Sequence, residues 1–300
     1  MEEIIKVLNL TKSYNERIVL NDISFSVHKG ESLGILGSNG AGKTTLLETI
    51  EGLRVVEKGL VEVLGKDITK DYKTVQNMIG VQLQKSSLFG DLTVKQNIRL
   101  YANLYKNKTN VDALLDEFNL KKQKNNYVNN LSGGQFQRLN LCIAMINNPA
   151  ILFLDEPTTG LDPNARLLLW NKILALKEKG TSIILTTHYM EEAQSLCDRV
   201  IIIHKGKFVA NDSPENLIRG LNAPKFIVLK FNGKIPDNCF DNYDIHSIKD
   251  ALYLKSDKPE KELVDIIKII EQKQISIQNI SIHESTLEDV YMSITKENYN

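Results

Sequence analysis

A glycine-rich octapeptide, Gly37-Ser-Asn-Gly-Ala-Gly-Lys-Thr44, limits what this chain can fold into more than any other feature. It follows the apolar run Leu33–Leu36 and precedes a helical pattern of leucines, so it predicts a loop between a strand and a helix N-terminus. Glycines let backbone N–H groups converge there on phosphate oxygens, and the helix dipole favours negative charge. Lys43 would reach the β- and γ-phosphates of a nucleotide, and the Thr44 hydroxyl would bind Mg²⁺. The residues predicted to contact the nucleotide are Gly37, Ser38, Asn39, Gly40, Ala41, Gly42, Lys43, Thr44 and Thr45.

A second apolar run, Ile151–Leu154, ends in two carboxylates, Asp155 and Glu156. Ligands of open α/β sheets bind at the carboxyl ends of the strands. Asp155 is therefore predicted to hold Mg²⁺ and Glu156 to polarise the water that attacks the γ-phosphate. An acidic cap at a strand-to-helix turn is the alternative interpretation. Taken together, the two motifs predict an ATPase or a GTPase.

Short β-branched runs alternate with helical patterns from about Ile4 to Leu221, which predicts an α/β domain with a parallel sheet over residues 1–221. The segment Gly220–Pro224 is predicted to be a boundary. Residues 222–300 contain further strand and helix patterns and are predicted to form a small α+β accessory domain. The last helix is expected to open with the capping-box spacing of Ser285 and Glu288.

Composition excludes several classes of protein. Lys and Arg total 37, as do Asp and Glu, so no net positive charge would attract a nucleic acid. The chain has three widely spaced cysteines and no CxxC, which favours a reducing compartment over a disulfide framework or a zinc site. No apolar run approaches the roughly 20 residues of a membrane helix, and the acidic start is unlike a signal peptide. We therefore expect a cytoplasmic protein.

A third motif, Leu131-Ser-Gly-Gly-Gln135, lies between the phosphate loop and the acidic strand end. With it, the chain resembles an ATP-binding-cassette (ABC) ATPase. The resemblance implies a P-loop NTPase cassette with a RecA-like core, an antiparallel β subdomain and a helical signature subdomain. It also implies a head-to-tail dimer with another ATP-binding subunit, most simply a second copy of the chain. ATP would lie between the phosphate loop of one subunit and Ser132, Gly133, Gly134 and Gln135 of the other.

Further segments resemble family landmarks. Ile79–Gln84 is similar to the Q-loop, in which Gln82 and Gln84 compete; the alignment favours Gln84, which the resemblance implies contacts Mg²⁺ and the attacking water. Asp162 is similar to the D-loop aspartate that faces the partner subunit. His188 is similar to the switch histidine at the γ-phosphate, and Tyr14 to the aromatic residue that stacks on adenine, although a surface tyrosine is the alternative.

The segments Thr187–Ala193, Leu196–Val200 and Ser285–Tyr291 resemble the drug- and antibiotic-export branch of the family. The resemblance implies a cytoplasmic ATPase held at the inner face of the membrane by a separate permease, powering export of a drug, antibiotic or peptide. A different cargo such as sodium is one alternative. A non-transport ABC ATPase acting on ribosomes or DNA is the other, although the single phosphate loop and the neutral charge disfavour it.

Overall fold

The computed structural model describes residues 2–82, 88–105, 109–221, 225–231, 239–240, 243–248 and 251–297. The chain divides into two compact units, Met1–Pro214 and Glu215–Asn300. The sequence pattern predicts the boundary one helix later, after Leu221. That residues 222–300 form an accessory domain stays a prediction.

The first unit alternates strands and helices. Its strands are β1 (Glu3–Tyr14), β2 (Arg17–His28), β3 (Ser32–Leu36), β4 (Lys58–Val63), β5 (Lys66–Asp67), β6 (Ile79–Gln82), β7 (Ile151–Asp155), β8 (Ser182–Thr187), β9 (Arg199–His204) and β10 (Lys207–Asp212). Its α-helices are α1 (Lys43–Ile50), α2 (Ile68–Gln76), α3 (Val94–Leu104), α4 (Val111–Glu117), α5 (Gly133–Ala144), α6 (Pro163–Glu178) and α7 (Met190–Leu196), and α8 (Pro214–Gly220) begins at the boundary between the two units. Short 3₁₀ helices cover Lys121–Gln123 and Val128–Asn130.

A six-stranded sheet of order β10-β9-β3-β8-β7-β6 forms the centre of this unit. All its neighbouring strands are parallel except β10, which pairs antiparallel with β9. Every residue of β3, β7 and β8 is buried, as expected for short apolar strands covered on both faces. Because parallel strands end at the same edge of a sheet, the segments that follow β3, β7 and β8 meet there. The predicted α/β class is confirmed.

A second, antiparallel sheet has the order β2-β1-β4-β5. Apolar residues of its strands, among them Val7, Ile23 and Val61, join Leu33 and Leu46 of the central layer in one hydrophobic core. Because of this packing, β1, which ends at Tyr14, belongs to the same hydrophobic core as the phosphate loop. Between β6 and β7 the chain forms α3, α4 and α5, the helical segment that contains the signature motif.

The second unit contains a four-stranded antiparallel sheet. Its elements are β11 (Lys225–Phe231), β12 (Ile245–Ile248), β13 (Ala251–Ser256), α9 (Pro259–Gln272), β14 (Ile277–His283) and α10 (Leu287–Glu297), and the strand order is β12-β13-β11-β14. Ile266 of α9 packs into a core with Ile227, Leu229 and Leu254 of the sheet.

The start of α10 differs from the predicted capping box by one residue. The Asp289 carboxylate accepts from the Thr286 N–H at 2.8 Å, and the Thr286 hydroxyl accepts from the Asp289 N–H at 3.3 Å. The reciprocal pair is therefore Thr286 with Asp289, not Ser285 with Glu288. Both pairs have the required spacing, so spacing alone could not choose between them.

Candidate active site

The phosphate loop leaves β3 at Gly37 and enters α1 at Lys43, in the order strand, loop and helix that the sequence predicts. Two of its glycines are required by the backbone. A Cβ on Gly37 would lie 2.6 Å from the carbonyl oxygen of Ile203, so any residue with a side chain would clash at this position. Gly42 caps α1 with φ at 110°, a left-handed conformation that glycine adopts without steric cost. Gly37 thus lets the loop pass close to Ile203 of β9, and Gly42 lets the chain turn into α1.

Lys43 lies inside the loop, with its side chain only 5% exposed. Its ammonium group donates to the carbonyl oxygens of Gly37 at 2.9 Å and Ser38 at 3.2 Å, and Nζ is 3.8 Å from Oε1 of Glu156. Burial lowers the pKa of Lys43, and the nearby carboxylates of Glu156 and Asp155 oppose that shift. The loop thus holds a buried cation at the N-terminus of a helix, an arrangement suited to a polyphosphate.

Asp155 ends β7 beside the start of α1. Its carboxylate oxygens lie 3.3 and 3.5 Å from the Thr44 hydroxyl, and the Thr186 hydroxyl at the end of β8 donates a hydrogen bond to it. Burial raises the pKa of Asp155, and the bonds from Thr186 and Thr44 work against that shift. A carboxylate and a hydroxyl this close are hard oxygen donors of the kind Mg²⁺ accepts, with phosphate and water completing its shell. The residues present therefore fit a magnesium ion.

Glu156 adopts a left-handed backbone conformation with φ at 46°, which costs a residue with a side chain on the order of 1 kcal/mol. Its N–H donates to the carbonyl and the hydroxyl of Thr186, both at 3.1 Å, which holds this turn in place. Its Oε2 is 3.3 Å from Nδ1 of His188 and accepts from the Thr159 hydroxyl at 3.2 Å. The strained turn thus places one carboxylate between Lys43 and His188.

Tyr14 lies at the end of β1 and is 38% exposed. Lys12 Nζ and the guanidinium carbon of Arg54 are each 5.4 Å from its ring centroid, and Arg54 donates to the Tyr14 hydroxyl at 2.5 Å. Arg54 also pairs with Glu48 of α1. These cations hold the ring in place while leaving part of it accessible. Arg54 was not singled out in the sequence, because it lies 40 residues from Tyr14 along the chain. Lys12 is close to Tyr14 in sequence, but the Glu57 carboxylate with which it pairs lies 45 residues further along.

The signature motif begins α5. Ser132 is the N-cap, with a reciprocal pair to Gln135: the Ser132 N–H donates to the Gln135 side chain at 3.0 Å, and the Gln135 N–H donates to the Ser132 hydroxyl at 3.4 Å. A Cβ on Gly134 would lie 2.9 Å from the Cβ of Ala165, so this glycine allows close approach of α6. Asp162 caps α6 by accepting from the Ala165 N–H at 2.9 Å. The signature motif and the predicted D-loop are therefore neighbours.

Apart from Tyr14, most of the predicted site residues that the structure describes fall into two clusters. Lys43, Thr44, Asp155, Glu156 and His188 form one, and the signature motif with Asp162 forms the other.

Of the two candidate Q-loop glutamines, the structure describes only Gln82. Gln84 lies outside the described residues, so its role stays a prediction. Gln82 ends β6 with 3% of its surface exposed, and its amide donates to the Gln137 side chain of α5 at 2.7 Å. Gln82 is therefore bound to the signature helix.

Glu51, directly after α1, was not singled out in the sequence and is the least expected charge near the site. It is 1% exposed, and neither carboxylate oxygen has a hydrogen-bond partner among the described residues. Burial, and to a lesser extent Asp155 and Glu48, raises the pKa of Glu51 from 4.5 to about 8. Nothing in its local sequence distinguishes it from an exposed helix-end glutamate.

The buried carboxyl of Glu51 leads us to predict a pH dependence of the free energy of unfolding. Between pH 4.5 and 8 the folded state binds more protons at Glu51 than the unfolded state does, so the free energy of unfolding falls as pH rises through that window. Glu51→Gln removes the titration. We expect it to leave stability near wild type at pH 5 and to raise it by on the order of 4 kcal/mol at pH 9. Urea unfolding at the two pH values measures this.

Glu16→Gln, in the exposed turn between β1 and β2, is the matched control and should leave the free energy of unfolding unchanged at both pH values. Equal effects of the two substitutions would contradict a buried Glu51 carboxyl with a raised pKa.

Comparison with known proteins agrees with this geometry. A family model described as ABC transporter matches residues 20–159. The Nod factor export ATP-binding protein I of Rhizobium johnstonii is 40% identical over 219 residues, covering 71% of this chain and 70% of the relative. A solved ATP-binding subunit of an ABC transporter is 28% identical with a TM-score of 0.66, covering 73% of this chain and 93% of that one. A dimeric ABC cassette bound to ADP and phosphate is 25% identical with a TM-score of 0.65, covering 70% and 98%.

The fold and the cluster around the phosphate loop define a P-loop ATPase of the cassette type. The chain belongs to the ABC transporter family and is an ATP-binding subunit with ATPase activity. The predicted cassette fold and the choice of ATPase over GTPase are thereby confirmed.

Proposed function

We propose that this chain powers export through a separate membrane permease, working as a dimer that hydrolyses ATP at two shared sites on the cytoplasmic face. The observation that carries the proposal is the position of Glu156 between Lys43 and His188 in a chain 40% identical to an export ATP-binding protein. Among the residues that the structure describes, no helix is long and apolar enough to cross a membrane.

The residues divide the chemistry among them. Lys43 and the loop N–H groups bind the β- and γ-phosphates, and Tyr14 stacks on adenine. Glu156 accepts a hydrogen bond from the Thr159 hydroxyl, which helps fix its orientation, so its carboxylate can take a proton from the attacking water. His188 contacts the γ-phosphate and, through Nδ1, the same carboxylate. Thr44, Asp155 and Gln84 would hold Mg²⁺, which when bound offsets the negative charge of the phosphates.

The second half of each site comes from the partner subunit. Ser132 and the two glycines after it open α5, a helix of 12 residues, so its free N–H groups and dipole suit the γ-phosphate of the ATP held by the other subunit. Asp162, the neighbouring N-cap of α6, faces the same interface. A second copy of this chain is the simplest partner.

The permease would dock at a surface beside the Q-loop. Leu88 and Phe89 follow the Q-loop, and Phe89 is 54% exposed. Its backbone is held by buried Asn97, which accepts from the Phe89 N–H at 3.1 Å and donates to the Phe89 carbonyl oxygen at 3.0 Å. A fixed backbone that presents an apolar ring to solvent fits a contact surface better than a loop that buries its own side chains.

A paired substitution tests docking. Leu88→Asp with Phe89→Asp should leave ATP hydrolysis by the isolated chain within about twofold of wild type. It should also abolish co-purification of a permease from membranes, because burying two carboxylates at an apolar contact costs several kcal/mol. The measurements are ATP turnover and mass spectrometry of the proteins retained by the tagged chain.

Leu104→Asp, at a residue 70% exposed at the end of α3, is the matched control and should retain the permease. Loss of hydrolysis with retention of the permease would show that these side chains support the ATPase domain and not the permease contact. Recovery of ribosomal proteins in place of a membrane protein would favour the non-transport alternative.

A further inference from the structure

Glu192 is a fully buried acidic residue that the mechanism above does not use. It lies on α7, which begins two residues after His188, and it has no exposed surface. Burying a carboxylate is costly unless hydrogen bonds compensate it, so such a residue needs a specific partner set.

Two donors from different segments meet at one oxygen of Glu192. Its Oε1 accepts from the Thr158 hydroxyl at 2.8 Å and from the Trp170 indole N–H at 3.0 Å. Its Oε2 has no hydrogen-bond partner among the described residues. A single acceptor atom therefore joins three segments, while Oε2 is buried with no hydrogen bond from the part of the chain that the structure describes.

Each of the three segments is connected along the chain to a residue with a proposed role in the catalytic cluster or the D-loop. Thr158 lies two residues after Glu156 and four before Asp162. Trp170 lies on α6, the helix that Asp162 caps. The helix of Glu192 itself follows His188.

Stability alone does not explain this arrangement. An apolar side chain of similar volume would fill the space without leaving one oxygen unpaired, and such replacements of buried charges are often neutral or stabilising. What an apolar residue could not do is hold the Thr158 hydroxyl and the Trp170 N–H in fixed directions.

We propose that Glu192 is a positioning residue for ATP hydrolysis. It fixes the segment from Glu156 to Asp162 against the helix that follows His188, so that the base, the histidine and the D-loop keep their relative placement. This inference rests on the proposed roles of Glu156, His188 and Asp162, and it adds the element that connects them.

The test separates acceptor geometry from charge and from folding. Glu192→Leu removes the acceptor and should lower kcat by about 10- to 100-fold while leaving KM for ATP within about twofold, because misplacement of catalytic groups acts on the chemical step and the phosphate loop is untouched. Glu192→Gln keeps an amide oxygen that can accept both bonds, and its kcat should stay within about threefold of wild type. Thr158→Val, which breaks the same contact from the other side, should lower kcat severalfold and add little in the Glu192→Leu background.

To correct for misfolded protein, the ATP bound per chain is measured for each variant, and kcat is expressed per chain that binds ATP. The proposal is overturned if folded Glu192→Leu keeps wild-type kcat, if its loss disappears after that correction, or if Glu192→Gln is as impaired as Glu192→Leu. Should Glu192→Leu not fold, Thr158→Val decides, and wild-type kcat in that variant overturns the proposal. If Glu156→Gln itself fails to stop hydrolysis, the proposed function is what fails; if only the Glu192 and Thr158 variants behave as wild type, the positioning role alone is wrong.

Discussion

Glu156→Gln should lower ATP turnover by about 10²- to 10⁴-fold while leaving ATP binding intact. The amide nearly matches the carboxylate in shape and can still accept from the Thr159 hydroxyl, so the strained turn after β7 is kept. What is lost is a group basic enough to take a proton from the attacking water. Steady-state hydrolysis and equilibrium ATP binding together measure the effect.

The same variant should accumulate as an ATP-bound dimer, because hydrolysis is the step that would release it. Sedimentation with and without ATP detects this. Glu191→Gln is the matched control, because Glu191 is an exposed glutamate on α7. This variant should hydrolyse ATP and dissociate normally. Wild-type turnover in Glu156→Gln would remove this residue from the mechanism.

Lys43→Ala should act earlier, on binding itself. The ammonium group lies within a loop of carbonyl oxygens and N–H groups, and its removal takes away a charge-assisted phosphate contact. Such contacts contribute about 1.5 to 3 kcal/mol, so we expect ATP affinity to fall by about 10- to 100-fold or more, with hydrolysis lost at ordinary ATP concentrations.

Calorimetric titration with ATP measures this effect, and Lys122→Ala, an exposed lysine before the signature helix, is the control. Unchanged affinity in Lys43→Ala would contradict the placement of the phosphates in this loop. The two substitutions thus separate binding, which depends on Lys43, from the chemical step, which depends on Glu156.

Much of the catalytic cluster could be predicted because its signals are local. The phosphate loop is one contiguous segment whose glycines have a direct steric reason, and the ends of β7 and β8 are marked by short buried runs that stop at Asp155 and Thr187. Since parallel strands end at one edge, finding the strands was enough to bring these residues together.

What the sequence did not reveal depends on contacts between distant segments. Arg54 with Tyr14, buried Glu51 beside Asp155, and Glu192 with its two donors have no local pattern that separates them from surface residues. The cap of α10 was predicted one residue early because two pairs had the same spacing.

The central claim is that each ATP lies between the phosphate loop of one subunit and the signature motif of the other. Mixing Lys43→Ala subunits with Ser132→Arg subunits tests it most directly, since Arg at Ser132 would occupy the γ-phosphate position. A mixed dimer of this kind has one site with both defects and one intact site. Lys43→Ala mixed with Glu156→Gln is the matched control, because those two residues belong to the same half-site and a mixed dimer keeps a defect in each site.

ATP turnover of the two mixtures is the deciding measurement. The account predicts that hydrolysis returns in the Lys43→Ala and Ser132→Arg mixture, in proportion to the mixed dimers formed, and stays absent in the control mixture. Equal inactivity of both mixtures, with mixed dimers shown to be present, would contradict the shared site.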